Sequence, residues 1–574
     1  MNQEELNNHR HSLAHLLAAA VMELYPDTKR TIGPAIDNGF YFDFEFSKPI
    51  SDADLPKIEK AMRKILPTWN KFEKHELSAA DAKKEYPDNP YKHELIDEFT
   101  KNGEKVTFYK SGNYWDLCKG GHAENMKEIS PESFKLDRVA GAYWRGNEKN
   151  KMLTRIYGLA FENKTALNAY IKMREEAEKR DHKKLGRELG LLMFHETSPG
   201  MPYWLPKGLI LYKELENFWR KRHVELGYQE IASPLVNKKE LWEISGHWEH
   251  YKDDMFIAYM GENEVYGIKP MNCPNAMIVF KSMQVSYKDL PLRLSDTDRL
   301  HRFERSGVLN GLFRCRSFQQ DDAHNYITEE MIGNECEKIM EICKEFYGIF
   351  NLEYKFRLGT RPEGFLGDVE SWNKAEKALN DVLKKSGEEY SVAAGDGAFY
   401  GPKIDIIMKD ALGREWQMGT VQLDFQQPKR FELEYMDKDS KRKTPVVIHR
   451  VIYGSLERFI GILIEHTAGA FPLWLSPVQV KVIPVREKHN DYAKEVFELL
   501  KKNNIRAELD DKDENLGGKV RDAKTNKIPY WIVVGDKEIE AGKITLESRD
   551  SGTLGQMSKD GLLKKLLEEI KDKK

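Results

Sequence analysis

The sequence predicts a multidomain protein of mixed α+β and α/β architecture, and three observations carry that expectation. Its 574 residues exceed the roughly 250 to 300 at which a single core stops growing, so three or four domains are expected. After Pro477, strand-like runs alternate with amphipathic helices, the pattern of a mainly parallel sheet covered by helices. Ahead of that region, residues 301–324 gather arginines, aromatics, carboxylates and two histidines into a span that reads as two strands and a turn, with Ser306-Gly307 as the turn.

Composition narrows the class. Hydrophobic residues make up 40% of the chain and charged residues 32%, as in soluble globular proteins. The longest evident apolar run, Leu16–Met22, is far shorter than the ~18 residues that suggest a membrane span; it is read as a core helix, and no membrane partner is expected. The acidic start Met1-Asn2-Gln3-Glu4-Glu5 lacks the basic-then-apolar pattern of an export signal, so a cytoplasmic location is expected. Five scattered cysteines suit a reducing compartment better than a disulfide framework, and Cys315, Cys336 and Cys343 are read as buried filler. A net charge of −3 provides no global basic field. An RNA partner would have to be met by local patches, with an affinity that falls with salt.

In chain order, His11-Ser12-Leu13-Ala14-His15 opens an amphipathic helix whose spacing of four puts both imidazoles on one face. Asp116-Leu117-Cys118-Lys119-Gly120-Gly121-His122 supplies a second pair beside a Gly-Gly turn. Such groups converge at metal sites or at sites that handle water and protons, and spacing alone leaves both open. Thr31 to Phe44 reads as a loop and an alternating strand, with Asn38-Gly39 as a tight turn. Asn163 to Leu192 is a densely charged helix former, read as a connecting helix with a solvated face. Pro206-Lys207-Gly208 starts a helix over 209–226, stopped by Gly227-Tyr228, and a strand then reaches Ser233-Pro234. His247 reads as a helix cap. Cys273, His324 and His449 form a borderline-soft set suited to Zn2+ with positions left open for substrate, although their spacing alone describes a buried cysteine and two unrelated histidines. Arg302-Phe303-Glu304 suits a nucleotide, since a guanidinium meets phosphate or carboxylate with paired hydrogen bonds; taken alone it also reads as a charged surface hairpin. Beyond Pro477, strands at 478–485, 505–509 and 530–534 alternate with helices at 491–502 and near 519–524.

Taken together, Pro234 after its helix, Arg302-x-Glu304 on its hairpin and Gly454-x-x-x-Arg458 opening a helix resemble motifs 1, 2 and 3 of the class II aminoacyl-tRNA synthetases. Lys269-Pro270-Met271-Asn272-Cys273-Pro274, Gln320-Asp321-Asp322-Ala323-His324, Tyr400-Gly401-Pro402-Lys403-Ile404-Asp405 and Ile448-His449-Arg450 extend the resemblance to the threonyl-type family, from about residue 9 to the C-terminus. It implies an editing domain over 1–160 of α+β type, a linker helix over 161–190, a class II catalytic domain with an antiparallel sheet over 191–476, and an α/β anticodon-binding domain over 477–574. Many relatives carry a ubiquitin-like domain ahead of the editing domain; this chain, starting close to His11, is expected to lack it.

The resemblance also implies roles. Cys273, His324 and His449 would hold one Zn2+ per subunit, while Gln320, Asp322, Tyr400, Lys403 and Gln422 would surround L-threonine. Arg302 would bridge the threonine carboxylate and the α-phosphate of ATP, which brings Mg2+. Glu304, Arg314 and Gln417 match ATP contacts, and Phe318 and Arg458 would sandwich adenine. His247 would lie near the terminal ribose of tRNA(Thr). His11, His15, Lys92, Asp116, Cys118 and His122 match the pocket that hydrolyses seryl-tRNA, where the resemblance argues for a metal-free site. Glu538 and Arg549 match anticodon contacts, with Lys519, Arg521 and Lys543 as general phosphate contacts, and the motif 1 segment implies a homodimer. The two pockets would explain each other: a site that requires the threonine hydroxyl rejects valine, whereas serine lacks only a methyl worth ~1–3 kcal/mol and needs a second, hydrolytic site. A catalytically silent RNA-binding paralogue would have lost Arg302, Arg458 or a zinc ligand, and all are present. Proline- or serine-specific class II enzymes do not imply the Cys273, His324 and His449 set.

Overall fold

The computed structural model describes residues 1–101, 105–261, 264–410 and 413–574, and the chain forms two compact units, Met1–Glu175 and Glu176–Lys574.

In the first unit the helix Gln3–Leu24 starts at a capping box: the Asn2 side chain accepts the Glu5 N–H at 2.9 Å and the Glu5 carboxylate accepts the Asn2 N–H at 3.0 Å. Its Leu13, Leu16, Leu17 and Ala20 share one core with Phe40, Phe42 and Phe44 of the strand Gly39–Glu45. That strand lies inside an antiparallel sheet with Lys29–Arg30, Met152–Ala160 and Phe134–Tyr143, and Ala35–Ile36 folds back on it. The tight turn is Asp37-Asn38, one residue earlier than expected, because Gly39 already pairs with Ile36 and Leu159. Nor does the strand expose alternate residues: Asp43, opposite the phenylalanine face, is buried by a bidentate pair with Arg155 at 2.6 and 2.8 Å. A second sheet, Glu73–Leu77, Val106–Ser111 and Tyr114–Leu117, packs with the helices Ala79–Lys84 and Pro90–Phe99 around Ala82, Tyr86, Ile96 and Phe108.

The expected single connecting helix is two, Lys164–Arg180 and His182–Glu188. Asp181 interrupts it by accepting the backbone N–H groups of Lys183 and Lys184 at 2.8 and 3.2 Å, a local alternative to the helical ladder.

The second unit is built on an eight-stranded sheet in the order Gln229–Ile231, Leu292–Asp296, Asp322–Ile327, Val446–Val451, Glu415–Asp424, Lys403–Lys409, Tyr354–Gly359, Tyr390–Ala393. All neighbours run antiparallel except the two outermost pairs. The helices Pro206–Glu225, Ile332–Gly348 and Leu456–Thr467 contribute Leu211, Leu215, Trp219, Ile339, Phe346, Phe459, Ile460 and Leu463 to its principal core. The hairpin at residue 302 is shorter than expected: only Arg299–His301 pairs with Ser317–Gln319, so Arg302 to Arg316 form a loop with one 3-10 turn at Ser306–Val308.

The C-terminal sheet is mixed where a mainly parallel one was expected. Ala507–Leu509, Val480–Pro484 and Tyr530–Val534 are parallel, and the strands Ile544–Ser548 and Gly552–Met557 extend them antiparallel. The helices Asn490–Lys502, Leu516–Thr525 and Lys559–Lys571 accompany this sheet, with Val496, Leu500, Leu562 and Leu566 in its core. No helix among the described residues is long and apolar enough to cross a membrane.

Candidate functional site

Four of the expected site residues form one row across the central sheet. His324 pairs with His449, His449 with Gln422, and Gln422 with Lys403. Directly opposed residues on neighbouring strands share a face, so the row presents imidazole, imidazole, amide and ammonium side by side. Cys273, first residue of the helix Cys273–Lys281, adds its thiol: its donor atom and those of His324 and His449 all lie within 4.8 Å of one another, and all three residues are buried.

These residues fit a zinc ion. His324 Nδ1 is buried without a hydrogen-bond partner. His449 Nε2 donates to Asp424 Oδ2 at 2.9 Å, which leaves Nδ1 to face an ion and supplies the carboxylate that metal-bound histidines usually carry behind them. Two imidazoles and a thiol suit zinc, and three protein ligands leave room for substrate. Asp322 stands nearby on the His324 strand, its carboxylate accepting from Asn272 Nδ2 at 3.1 Å, and burial raises its pKa to about 7. The Tyr400 hydroxyl donates to Gln422, and its ring lies 5.0 Å from that of His449. Gln320 bridges to Ser455 at the start of the helix Leu456–Thr467. His247 is fully buried: Nδ1 meets Ser245 Oγ at 2.8 Å, and Nε2 lies 3.0 Å from Met271 Sδ and 3.9 Å from Cys273 Sγ.

Beside this row three guanidiniums converge. Burial depresses the pKa of Arg458, and the nearby charges of Arg302 and Arg314 depress it further against the opposing pull of Cys315 and Glu304. Arg302 Nε donates to Pro270 O at 3.2 Å, with its guanidinium 5.0 Å from the centre of the Phe318 ring. Arg314 pairs with Glu304 at 2.9 Å; an exposed pair of this kind is worth under ~1 kcal/mol, so a phosphate can displace it. Arg458 donates to Phe313 O at 2.8 Å and Gln417 O at 2.5 Å, and lies 5.4 Å from the Trp416 ring. Arg302 thus lies against Phe318 and Arg458 against Trp416. Asp405, fully buried, takes Lys403 Nζ at 3.0 Å, Arg357 at 3.0 Å and Gln417 Nε2 at 2.7 Å.

In the first unit, the helix and the Gly-Gly turn bring His11, His15, Cys118 and His122 together, with donor atoms within 4.8 Å of one another. Cys118 Sγ is 3.3 Å from His122 Nε2 and 3.6 Å from His11 Nε2, while His11 Nδ1 donates to Gly121 O at 3.0 Å. Burial pushes the Cys118 thiol up to about 11 and His15 down to about 3. Alongside lies a buried ion pair, Lys92 Nζ to Asp116 Oδ1 at 2.8 Å, with Arg30 at 3.3 Å and the hydroxyls of Tyr86 and Tyr114 also on the carboxylate. Despite burial, these cations hold the Asp116 carboxyl well below the usual carboxylate range. His11, His15, Lys92, Asp116 and Cys118 border a cleft of about 250 Å3 that Thr31, Gly33, Pro34 and Phe42 also line.

Of the C-terminal candidates, Glu538, Arg549 and Lys519 each hold structural partners of their own. Glu538 is half-exposed and accepts Gly535 N–H at 2.9 Å and Thr545 Oγ1–H at 2.6 Å. Arg549 is a staple: NH1 donates to Phe471 O and Lys527 O at 3.0 and 2.9 Å, and Nε and NH2 grip Asp550. Those bonds occupy the guanidinium and weigh against its reading a base. Lys519, expected as a phosphate contact, is buried and donates to Pro484 O at 3.3 Å.

Three domain families match this chain: the class II tRNA synthetase core domain (G, H, P, S and T) at residues 256–467, an anticodon-binding domain at 479–569, and the threonyl and alanyl tRNA synthetase second additional domain at 106–157. The threonine–tRNA ligase of Caldanaerobacter subterraneus subsp. tengcongensis is 51% identical over 565 residues, covering 98% of this chain and 87% of that protein. The chain belongs to the threonine–tRNA ligase family. A second member, from Acetivibrio thermocellus, is 49% identical over 98% of this chain and 89% of its own length. A crystal structure described as the RNA binding domain of threonyl-tRNA synthetase from Cryptosporidium parvum superposes with a TM-score of 0.66 at 41% identity, covering 68% of this chain and 98% of that one.

Beside the residues read from the family's motifs stand several that sequence reasoning did not assign. Asp405 and Asn272 lie inside quoted motifs, but a lone Asp or Asn has no periodicity that reveals what it holds. Asp424, behind His449, and Trp416, beside Arg458, carry no local signal; register with already named residues, Asp424 two positions past Gln422 and Trp416 next to Gln417, is the one clue available.

Proposed function

We propose that this chain activates L-threonine with ATP to threonyl-adenylate, transfers it to tRNA(Thr), and hydrolyses mischarged seryl-tRNA(Thr). The observation that carries the reading is the row His324–His449–Gln422–Lys403, with Cys273 closing a zinc-ligand set at one end and the Arg302, Arg314 and Arg458 cluster beside it. A resident Zn2+ on Cys273, His324 and His449 would supply a Lewis acid that recognises the amino and hydroxyl groups of threonine together.

The chain's own groups do the rest. Asp322, Tyr400 and Gln320 orient the amino acid, and Gln422 and Lys403 form the floor beneath it. Arg302, held by Pro270 O, bridges the threonine carboxylate and the α-phosphate and stabilises the negative charge that grows as the carboxylate oxygen attacks and pyrophosphate leaves. Arg314 exchanges Glu304 for phosphate, Glu304 then being available to the adenine side with Gln417. Phe318 and Arg458 flank adenine, with Trp416 behind the guanidinium. Mg2+ enters with ATP. His247 serves the transfer step from beneath the zinc ligands. Positioning and electrostatics account for this reaction without a covalent enzyme intermediate.

In the editing pocket, Lys92, fixed by Asp116, and the Cys118–His122 pair with His11 and His15 position the seryl ester and a water without a metal. The domain limits that accompany this reading are 1–160 for editing, 161–190 for the connection, 191–476 for catalysis and 477–574 for anticodon binding, where Glu538 is the favoured contact. The assembly is a cytoplasmic homodimer.

The deciding experiment is ATP–pyrophosphate exchange with threonine, serine, valine and proline, alongside zinc content. Strong exchange with threonine, weaker with serine, none with valine and about one zinc per chain is the expected result. Absence of exchange with every amino acid in folded, tRNA-binding protein overturns it.

A further inference from the structure

His182 opens the second connecting helix, in a charged stretch whose sequence reads as a solvated face, yet its side chain is 1% exposed. Nδ1 lies 2.8 Å from Glu465 Oε1, and Nε2 accepts the Leu312 backbone N–H at 3.0 Å. A carboxylate only accepts and a backbone N–H only donates, so these two bonds define one neutral tautomer, protonated at Nδ1. With both nitrogens of His182 engaged by Glu465 and Leu312, and the Asp181 carboxylate capping the helix through Lys183 and Lys184 N–H, this group is a hydrogen-bonded one and not a metal site, although its atoms are close enough for one.

The group ends at the nucleotide side. The ring of Phe313 packs against His182 at a tilt of 41° with centroids 4.2 Å apart, and the Phe313 carbonyl accepts Arg458 Nε–H at 2.8 Å. Gly311 has φ +51°, and a Cβ there would meet His182 Nε2 at 2.3 Å, so the imidazole sits in the space that a side chain would fill. Arg314, which the reading above gives to the phosphates, follows directly in the chain. Glu465 lies on the same helix as Arg458, so one imidazole ties both halves of the guanidinium cluster, the 302–316 loop and the helix Leu456–Thr467, to each other.

We propose that His182 is a positioning residue for ATP: it sets the loop 311–314 against the helix Leu456–Thr467, and through the Phe313 carbonyl it aims Arg458. It touches no substrate and acts mainly on ATP: the threonine row lies on the sheet strands, and Arg302, at the far end of the 302–316 loop, is anchored separately on Pro270 O. The inference rests on the proposed ATP site.

The test is pyrophosphate exchange in the full-length protein with KM measured separately for ATP and for threonine. His182→Ala is expected to raise KM for ATP about tenfold with KM for threonine within twofold of the parent. His182→Gln places an amide acceptor near the Nε2 position and is expected to recover most of that loss, whereas His182→Asn, whose shorter amide reaches the Glu465 side, recovers little. Equal rises in both KM values, no change in KM for ATP, or equal behaviour of Gln and Asn in protein that melts like the parent overturns the inference. Should His182→Ala fail to fold, the Gln and Asn pair decides alone. A parent protein that catalyses no exchange would refute the ATP site itself, a different outcome from a parent that exchanges normally and a variant that matches it.

Discussion

Asp424 shows how much a single carboxylate decides. One oxygen takes His449 Nε2–H at 2.9 Å and the other takes the backbone N–H groups of Gln426 and Gln427 at 2.7 and 3.0 Å, so the imidazole behind the proposed zinc is locked in one tautomer and one orientation. Partners of this kind typically change metal affinity 10- to 100-fold. Asp424→Asn is therefore expected to weaken zinc binding by roughly that factor in a chelator competition while leaving the melting temperature of the zinc-loaded protein within a few degrees. Unchanged zinc affinity would mean that the orientation of His449 is held by packing alone. Asp405 works in the same manner one row away, gathering Lys403, Arg357 and Gln417 on one buried carboxylate.

At the scale of elements, the start of the helix Leu456–Thr467 is where backbone and chemistry meet. Gly454 has φ +77°, and a Cβ on it would stand 2.2 Å from Met418 O, so the chain passes here only because no side chain is present. The Ser455 hydroxyl then caps the helix by accepting Arg458 N–H at 3.2 Å, and the Arg458 guanidinium returns to Gln417 O beside Met418. Gly454→Ala should cost about 1–3 kcal/mol from the strained backbone, lower the melting temperature, and raise KM for ATP more than KM for threonine. Normal nucleotide affinity in a destabilised variant would separate the turn from the site. The connecting segment makes a related point: Asp181 breaks one charged helix into two, and the break is what lets His182 turn into the interior.

For the molecule as a whole, the first unit has a built-in acid sensitivity. Burial lowers His15 from 6.5 to about 3, and His11 and His122 are also lowered. Above pH 6.5 His15 is neutral folded or unfolded and contributes nothing. As pH falls toward 3 the unfolded chain binds a proton that the folded one excludes, so stability declines by ~1.4 kcal/mol per pH unit for this residue. Amide exchange in full-length protein, corrected for intrinsic rates, should show less protection of Leu13 to Val21 at pH 5.5 than at pH 7.5, and His15→Gln should flatten that difference; equal protection at both pH values would contradict the burial of a neutral imidazole. Local sequence determined the parts with local causes: the helix start at Pro206, the strands around the C-terminal core, the His11/His15 face, and the motif residues that placed the chain among class II synthetases of threonyl type; the first helix, read as opening at His11, starts eight residues earlier, at Gln3, on the Asn2 cap. The mixed C-terminal sheet, the short hairpin at residue 302, the broken connecting helix and the staple role of Arg549 were decided by tertiary structure, because pairing partners and burial depend on residues far away in the chain. The site divides the same way. Cys273, His324 and His449 carry the right donor atoms in the sequence, but only the register of the sheet sets His324 against His449, and only packing puts Asp424 behind His449, Trp416 beside Arg458 and His182 against Leu312 and Glu465, since partners distant in the chain leave no periodicity to read.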